Sequence, residues 1–300
     1  MSRLKKTIML LCLSIMIPFL LLIQNAYESK KETMRNSYQG KEEKTAEIYN
    51  TIKTLCEPIM EPDLTGPEKD VYNTILDSIY AFSQTTTLQI SDDSEISKTR
   101  IIEIIGIIKE NPELFWVKAI PGYKYKTENG IQTYTIKIEY QISKEQKNAV
   151  DALLKFKLYD VVRNLNTQDI KTTSTSIIQY LADTTTYVKD ATERTGYPYD
   201  TILGPLLYKT AICSGYAKTY SYVMSVLGYP SAYCLGYVNG NQYHAWSAFK
   251  LQDEIYFSDP TFYATTGKRN DWINQPLSSW QGYREKIKYW YLPTLRFVAK

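Results

Sequence analysis

Thr210-Ala211-Ile212-Cys213-Ser214-Gly215-Tyr216-Ala217-Lys218 opens the stretch 210–262, whose reading decides the fold. After Cys213 the pattern is helical. Ile212, Tyr216, Tyr220, Val223 and Leu227 fall on one stripe, and Ser214, Lys218, Ser221 and Ser225 on the opposite one. Gly228 and Pro230 stop the helix. Thr210 reads as its N-cap, which places Cys213 in the first turn. Free N–H groups and the positive end of the helix dipole favour a thiolate there over a thiol.

Three strands are expected next, over 231–238, 243–251 and 255–258, with turns at Asn239-Gly240-Asn241 and Gln252-Asp253-Glu254. The chain has one histidine in 300 residues, and His244 lies near the start of the second strand. Asp259 ends the third. Adjacent strands are about 4.8 Å apart, so two positions in register can hold a His–Asp hydrogen bond. A helix packed across the sheet can then bring Cys213 to the other ring nitrogen. A nucleophile, a base and an orienting carboxylate in this arrangement point to nucleophilic acyl transfer. Taken singly, each residue has a plainer reading: a buried small hydrophobe for the cysteine, a surface or satisfied histidine, a turn for Asp259-Pro260.

Leu203-Gly204-Pro205-Leu206, Cys213-Ser214-Gly215-Tyr216-Ala217, His244-Ala245-Trp246 and Tyr256-Phe257-Ser258-Asp259-Pro260-Thr261-Phe262 together resemble the transglutaminase-like superfamily, above all its exported bacterial members. The resemblance covers roughly residues 170–265. It implies an α+β papain-like core, with the helix carrying Cys213 packed on an antiparallel sheet. It also implies that Cys213 is the nucleophile, His244 the general base and acid, and Asp259 the group orienting His244. Ser247 departs from the pattern, because Asn often follows the His-Ala-Trp run; the expected effect is on local hydrogen bonding, not on the triad. The reaction expected is attack on peptide or glutamine-type amides through a thioester, with surface proteins or wall peptides as targets. For the oxyanion, the donors expected are the Cys213 backbone N–H and one upstream group, Tyr187 or Tyr208. A cysteine peptidase without cross-linking activity and a non-catalytic binding or scaffold module stand as alternatives.

Upstream, residues 1–26 read as a signal peptide or membrane anchor. Arg3, Lys5 and Lys6 precede an apolar run over 8–23, and no clean cleavage site follows. Export with the N-terminus inside follows from the positive-inside bias. Without those three cations the formal charge falls from +3 to 0, so no nucleic-acid footprint is expected. Residues 27–65 read as a polar stalk. Residues 66–168 read as a smaller α+β region, with helices over 68–82 and 98–109, a hairpin over 123–126 and 131–141 across Glu128-Asn129-Gly130, and a helix over 144–165. This region holds neither His nor Cys, and its expected job is to wall one side of the cleft. Residues 169–300 form the expected catalytic domain, entered by a helix over 174–189 and a loop and short turn over 200–207, with an aromatic tail including Trp272, Trp280 and Trp290.

Cys56, Cys213 and Cys234 make an odd number outside the leader, which leaves at least one thiol free. Cys234 is expected to be buried and inert. One histidine and scattered cysteines lack zinc spacing, and the acidic residues form no calcium loop. No cofactor or metal is therefore expected. The 27 tyrosines read as substitutes for Phe on half-buried faces.

Overall fold

The computed structural model describes residues 64, 66–189, 196–229, 231–238, 242–252, 254–276 and 287–291. The leader 1–26, the stalk 27–65 apart from Leu64, Cys56, the 239–241 turn and Trp280 lie outside the described residues. Helices and mainly antiparallel sheets are mixed. No helix among the described residues is long and apolar enough to cross a membrane.

The first half builds a three-stranded antiparallel sheet in the order β1-β3-β2. Its strands are β1 (Thr85–Ser91), β2 (Val117–Glu128) and β3 (Ile131–Tyr140). β1 adds to the strands expected from the sequence, and Thr86, Leu88 and Ile90 alternate inward along it with strict period two. Helices α1 (Gly66–Tyr80) and α2 (Lys98–Glu110) cover the sheet. Ile101, Ile104, Ile105 and Ile108 form the buried stripe of α2, and Ser97 caps it by accepting from the Arg100 N–H at 3.1 Å. Each fully buried isoleucine contributes about 1.5–3 kcal/mol. α3 (Lys144–Val162) starts with a reciprocal capping box between Ser143 and Gln146.

In the second half, α4 (Ile170–Thr184) begins four residues earlier than the apolar pattern suggested and ends five earlier. The reason is Asp169, whose carboxylate accepts from the backbone N–H groups of Lys171 and Thr172, both at 2.9 Å. The chain then enters β4 (Thr186–Tyr187), which pairs in parallel with β5 (Thr210–Ala211). Between them, Gly204–Tyr208 forms a single π turn, within the loop and short turn expected there. α5 (Cys213–Val226) follows, and then the strands β6 (Ser231–Val238), β7 (Gln242–Leu251) and β8 (Glu254–Ser258). These join β9 (Gln275–Pro276) and β10 (Ile287–Tyr291) in a five-stranded antiparallel sheet, order β10-β6-β7-β8-β9. The tail strand thus covers the β6 edge by pairing with it. A short helix, α6 (Pro260–Thr265), leaves the end of β8.

One buried apolar cluster runs through both halves, from Ile75 and Ile104 through Leu158 and Ile177 to Tyr216 and Phe249. Tyr216 and Tyr220 are among its fully buried residues, although half-buried faces are expected for tyrosine. Their hydroxyls are satisfied: Tyr216 donates to the Thr185 carbonyl at 2.6 Å and Tyr220 to Ser174 Oγ at 2.7 Å. Ser174 in turn donates to Asn274, whose side-chain amide reaches the Lys171 carbonyl at 3.0 Å. This network pins α4, α5 and the return from α6 together.

Candidate active site

α5 starts at Cys213 itself, and its N-cap is Ile212, not Thr210. Thr210 is taken up by the pairing of β5 with β4, and the Ile212 N–H is held by the Tyr199 carbonyl at 3.1 Å. Tyr216 makes the first intrahelical bond, back to the Ile212 carbonyl at 3.1 Å. The helix therefore leaves the N–H groups of Cys213, Ser214 and Gly215 without intrahelical acceptors. Gly215 is obligatory here: a Cβ on it would lie 2.2 Å from the Tyr199 carbonyl oxygen and 3.2 Å from that of Thr201. The loop before β5 packs directly on the helix backbone, and this sets the direction in which Cys213 leaves the first turn.

Ala245 and Ser247 of β7 meet the helix. Cys213 packs on the cluster of Ala217, Tyr233, Leu235 and Ala245, and Ser247 Oγ donates to the Ala217 carbonyl at 3.2 Å. Ser247 thus ties strand to helix. His244 stands near the start of β7, opposite Gly236, and is 3% exposed. Its ring stacks on Phe262 with centroids 4.7 Å apart, and Phe262 leans in turn on Trp272 at 5.0 Å.

Asp259 lies one residue beyond β8. Continuing the β7–β8 register places it level with Trp246, one side-chain repeat from His244. It is fully buried, and each carboxylate oxygen has a task. Oδ2 accepts the hydrogen bond from His244 Nε2–H at 2.7 Å, while Oδ1 accepts the Phe262 N–H at 2.8 Å and caps α6. With Nε2 engaged, Nδ1 is the nitrogen left for the thiol, and Cys213 lies near enough to the imidazole to act on its pKa. Burial alone lowers the His244 pKa. The Asp259 charge and hydrogen bond, followed by the Cys213 contact, overcome this and raise it to about 10.

Tyr187 stands beside this group. β4 holds it level with Ala211, two residues before Cys213. Burial, then the neighbouring Cys213 and Asp259, raise its phenol pKa, so it stays a hydrogen-bond donor. Tyr208 is 45% exposed and feels Tyr199 instead, so of the two upstream tyrosines only Tyr187 is brought to the triad. Cys234 is fully buried and free, and burial pushes its thiol far up. The Phe262–Trp272 backing and the capping duty of Asp259 went unread in the sequence, although Asp-Pro before an aromatic is itself a helix-start signal.

A model of the Transglutaminase-like superfamily matches residues 159–273. Those residues carry a transglutaminase-like domain. The match begins inside α3 and closes just after Trp272, so it spans Cys213, His244 and Asp259. No curated protein matches the chain. Among solved structures, one described as a TGase is 15% identical, with 62% of this chain and 53% of that chain covered at a TM-score of 0.35. A second, described as a candidate cysteine protease from Cytophaga hutchinsonii, is 12% identical over 46% of this chain and 61% of that one, at a TM-score of 0.30. The chain thus spans about half of the first structure's length. Among the described residues no group of three His, Cys, Asp or Glu side chains is placed to hold a metal ion.

Proposed function

We propose that the transglutaminase-like domain is a cysteine acyltransferase or hydrolase of amide bonds, with a papain-like arrangement of Cys213, His244 and Asp259. The observation that carries this reading is the buried imidazole held by the Asp259 carboxylate at 2.7 Å, with the half-buried Cys213 thiol beside it at a helix tip. With His244 raised to about 10, the proton from Cys213 rests on Nδ1, and this imidazolium keeps its Nε2–H on Asp259. The sulfur attacks an amide carbonyl to form a tetrahedral adduct. The unpaired N–H groups of the first turn of α5, with Tyr187 as a side-chain donor, hold its oxyanion. His244 returns the proton to the departing amine as the C–N bond breaks, which leaves a thioester. An amine or a water then attacks the thioester through the same base and regenerates the thiol.

Amine attack joins two chains, and water attack gives deamidation or cleavage. The substrates in this reading are glutamine-type or peptide amides of surface proteins or wall peptides, and the domain works outside the membrane, a reading supported by the apolar run at 8–23. No cofactor takes part.

The test is incubation of the full chain with a glutamine peptide and a fluorescent primary amine, alongside thiol alkylation. Wild type should form the amine adduct or release ammonia, and Cys213→Ala should do neither. Selective alkylation at Cys213 should vanish in that variant and persist in Cys234→Ala. Equal labelling of both variants would remove Cys213 from the chemistry. A reactive Cys213 that turns over dipeptide amides but never incorporates amine would identify a peptidase.

A further inference from the structure

α5 presents a second row of contacts that the triad does not use. Ser214 and Lys218 are four residues apart, so they share one helix face. A single side chain from β6 lies along that face. The Tyr233 hydroxyl donates to Ser214 Oγ at 3.0 Å, and the Lys218 ammonium sits over the Tyr233 ring, 5.1 Å from its centroid. Lys218 is held there from the other half of the molecule: its Nζ is 3.3 Å from an oxygen of Glu110, the last residue of α2. The Asp200 carboxylate adds a second negative charge near the same ammonium, and Asp200 Oδ1 is buried without a hydrogen-bond partner among the described residues. Both ends of the Glu110–Lys218 pair are withdrawn from solvent, at 23% and 15% side-chain exposure, so this pair is held better than an exposed surface pair.

We infer that Glu110, Lys218 and Tyr233 form a positioning relay that locks the first turn of α5 through Ser214, making the N-terminal α+β region part of the catalytic unit. The inference rests on the reading of Cys213 as the nucleophile. The physical need is local. Ile212 supplies no side-chain cap, so at that position only its backbone bond to Tyr199 restrains the start of the helix. The N–H groups that favour a thiolate, and would hold the oxyanion, belong to the same turn as Ser214. Fraying there misaims them while the rest of the helix stays folded. The Tyr233 hydroxyl grips the turn one residue past the nucleophile, the Lys218 cation keeps the ring on the helix face, and Glu110 keeps the cation on the ring. Burial first, and then the Glu110 charge, keep the Tyr233 phenol protonated and therefore a donor. Other charged or titratable groups near this turn are Asp200 from the loop, Tyr243 and His244 from β7, Asp259 after β8 and Tyr187 from β4.

The experiment uses the full chain. The rate of iodoacetamide alkylation is followed at the Cys213 peptide by mass spectrometry, with the melting temperature measured in parallel. Tyr233→Phe and Lys218→Met should each slow alkylation roughly three- to tenfold, the size of one lost hydrogen bond. The double variant should be no slower than the slower single, because both act through one contact. Glu110→Gln should give a smaller loss, and the reversed pair Glu110→Lys with Lys218→Glu should recover less than Glu110→Gln retains, since a glutamate cannot sit on the ring. Melting should shift by only a few degrees throughout. Lowered melting with unchanged alkylation per folded molecule would overturn the relay, as would additive losses in the double variant. A wild-type chain whose Cys213 is no more reactive than Cys234 would instead remove the nucleophile reading, and the relay with it.

Discussion

At the scale of single residues, Asp259 separates two jobs that substitution can pull apart. Its Oδ1 caps α6, and its Oδ2 holds His244. Asn keeps a carbonyl for the cap but loses the charge that stabilises imidazolium. Asp259→Asn should therefore retain the far-UV spectrum of wild type and lose turnover by about three to four orders of magnitude, as carboxylate loss does in other triads. Near-wild-type turnover would take Asp259 out of the mechanism. The same pair sets a pH dependence. His244 is raised in the folded chain from 6.5 to about 10, so the stability it brings is complete below about pH 6.5 and lost as pH rises toward 10. The melting gap between wild type and Asp259→Asn should thus be widest near pH 6 and narrow toward pH 10. A gap that widens with pH would contradict the charged His244–Asp259 pair.

Among the elements, α5 is decided by what packs on its start. Gly215 is the position where the 196–201 loop touches the helix backbone, and no flexible side chain stands there to yield. Gly215→Ala forces a Cβ toward two backbone carbonyls. The expected cost is about 1–3 kcal/mol, seen as a lower melting temperature together with slower alkylation of Cys213. An unchanged melting temperature would mean that the loop moves freely. Gly215 was legible in the sequence only as part of a motif; its steric reason lies with Tyr199 and Thr201, far away in pattern though near in space. The strands β6, β7 and β8, by contrast, fall within one residue of where aromatic and β-branched content placed them.

For the whole molecule, the continuous cluster from Ile75 to Phe249 and the Glu110–Lys218 link join the N-terminal α+β region to the transglutaminase-like domain. Folding of both should be one event. Calorimetry of the full chain should show a single main transition, coincident by near-UV and far-UV circular dichroism. Two separate transitions would mean that the halves fold independently and share only a surface.

By itself the sequence determined the helix after Cys213, the three strands behind it, and the order Cys213, His244, Asp259, because local periodicity and turn chemistry are written residue by residue. What only the tertiary structure decided is how the groups meet. Asp259 reaches His244 diagonally from one residue past its strand, Tyr187 and not Tyr208 is brought beside Cys213 by a two-residue parallel pairing, and Glu110 arrives from the other half of the chain. Those contacts join residues 15 to 108 positions apart, and no local pattern encodes a partner at that distance.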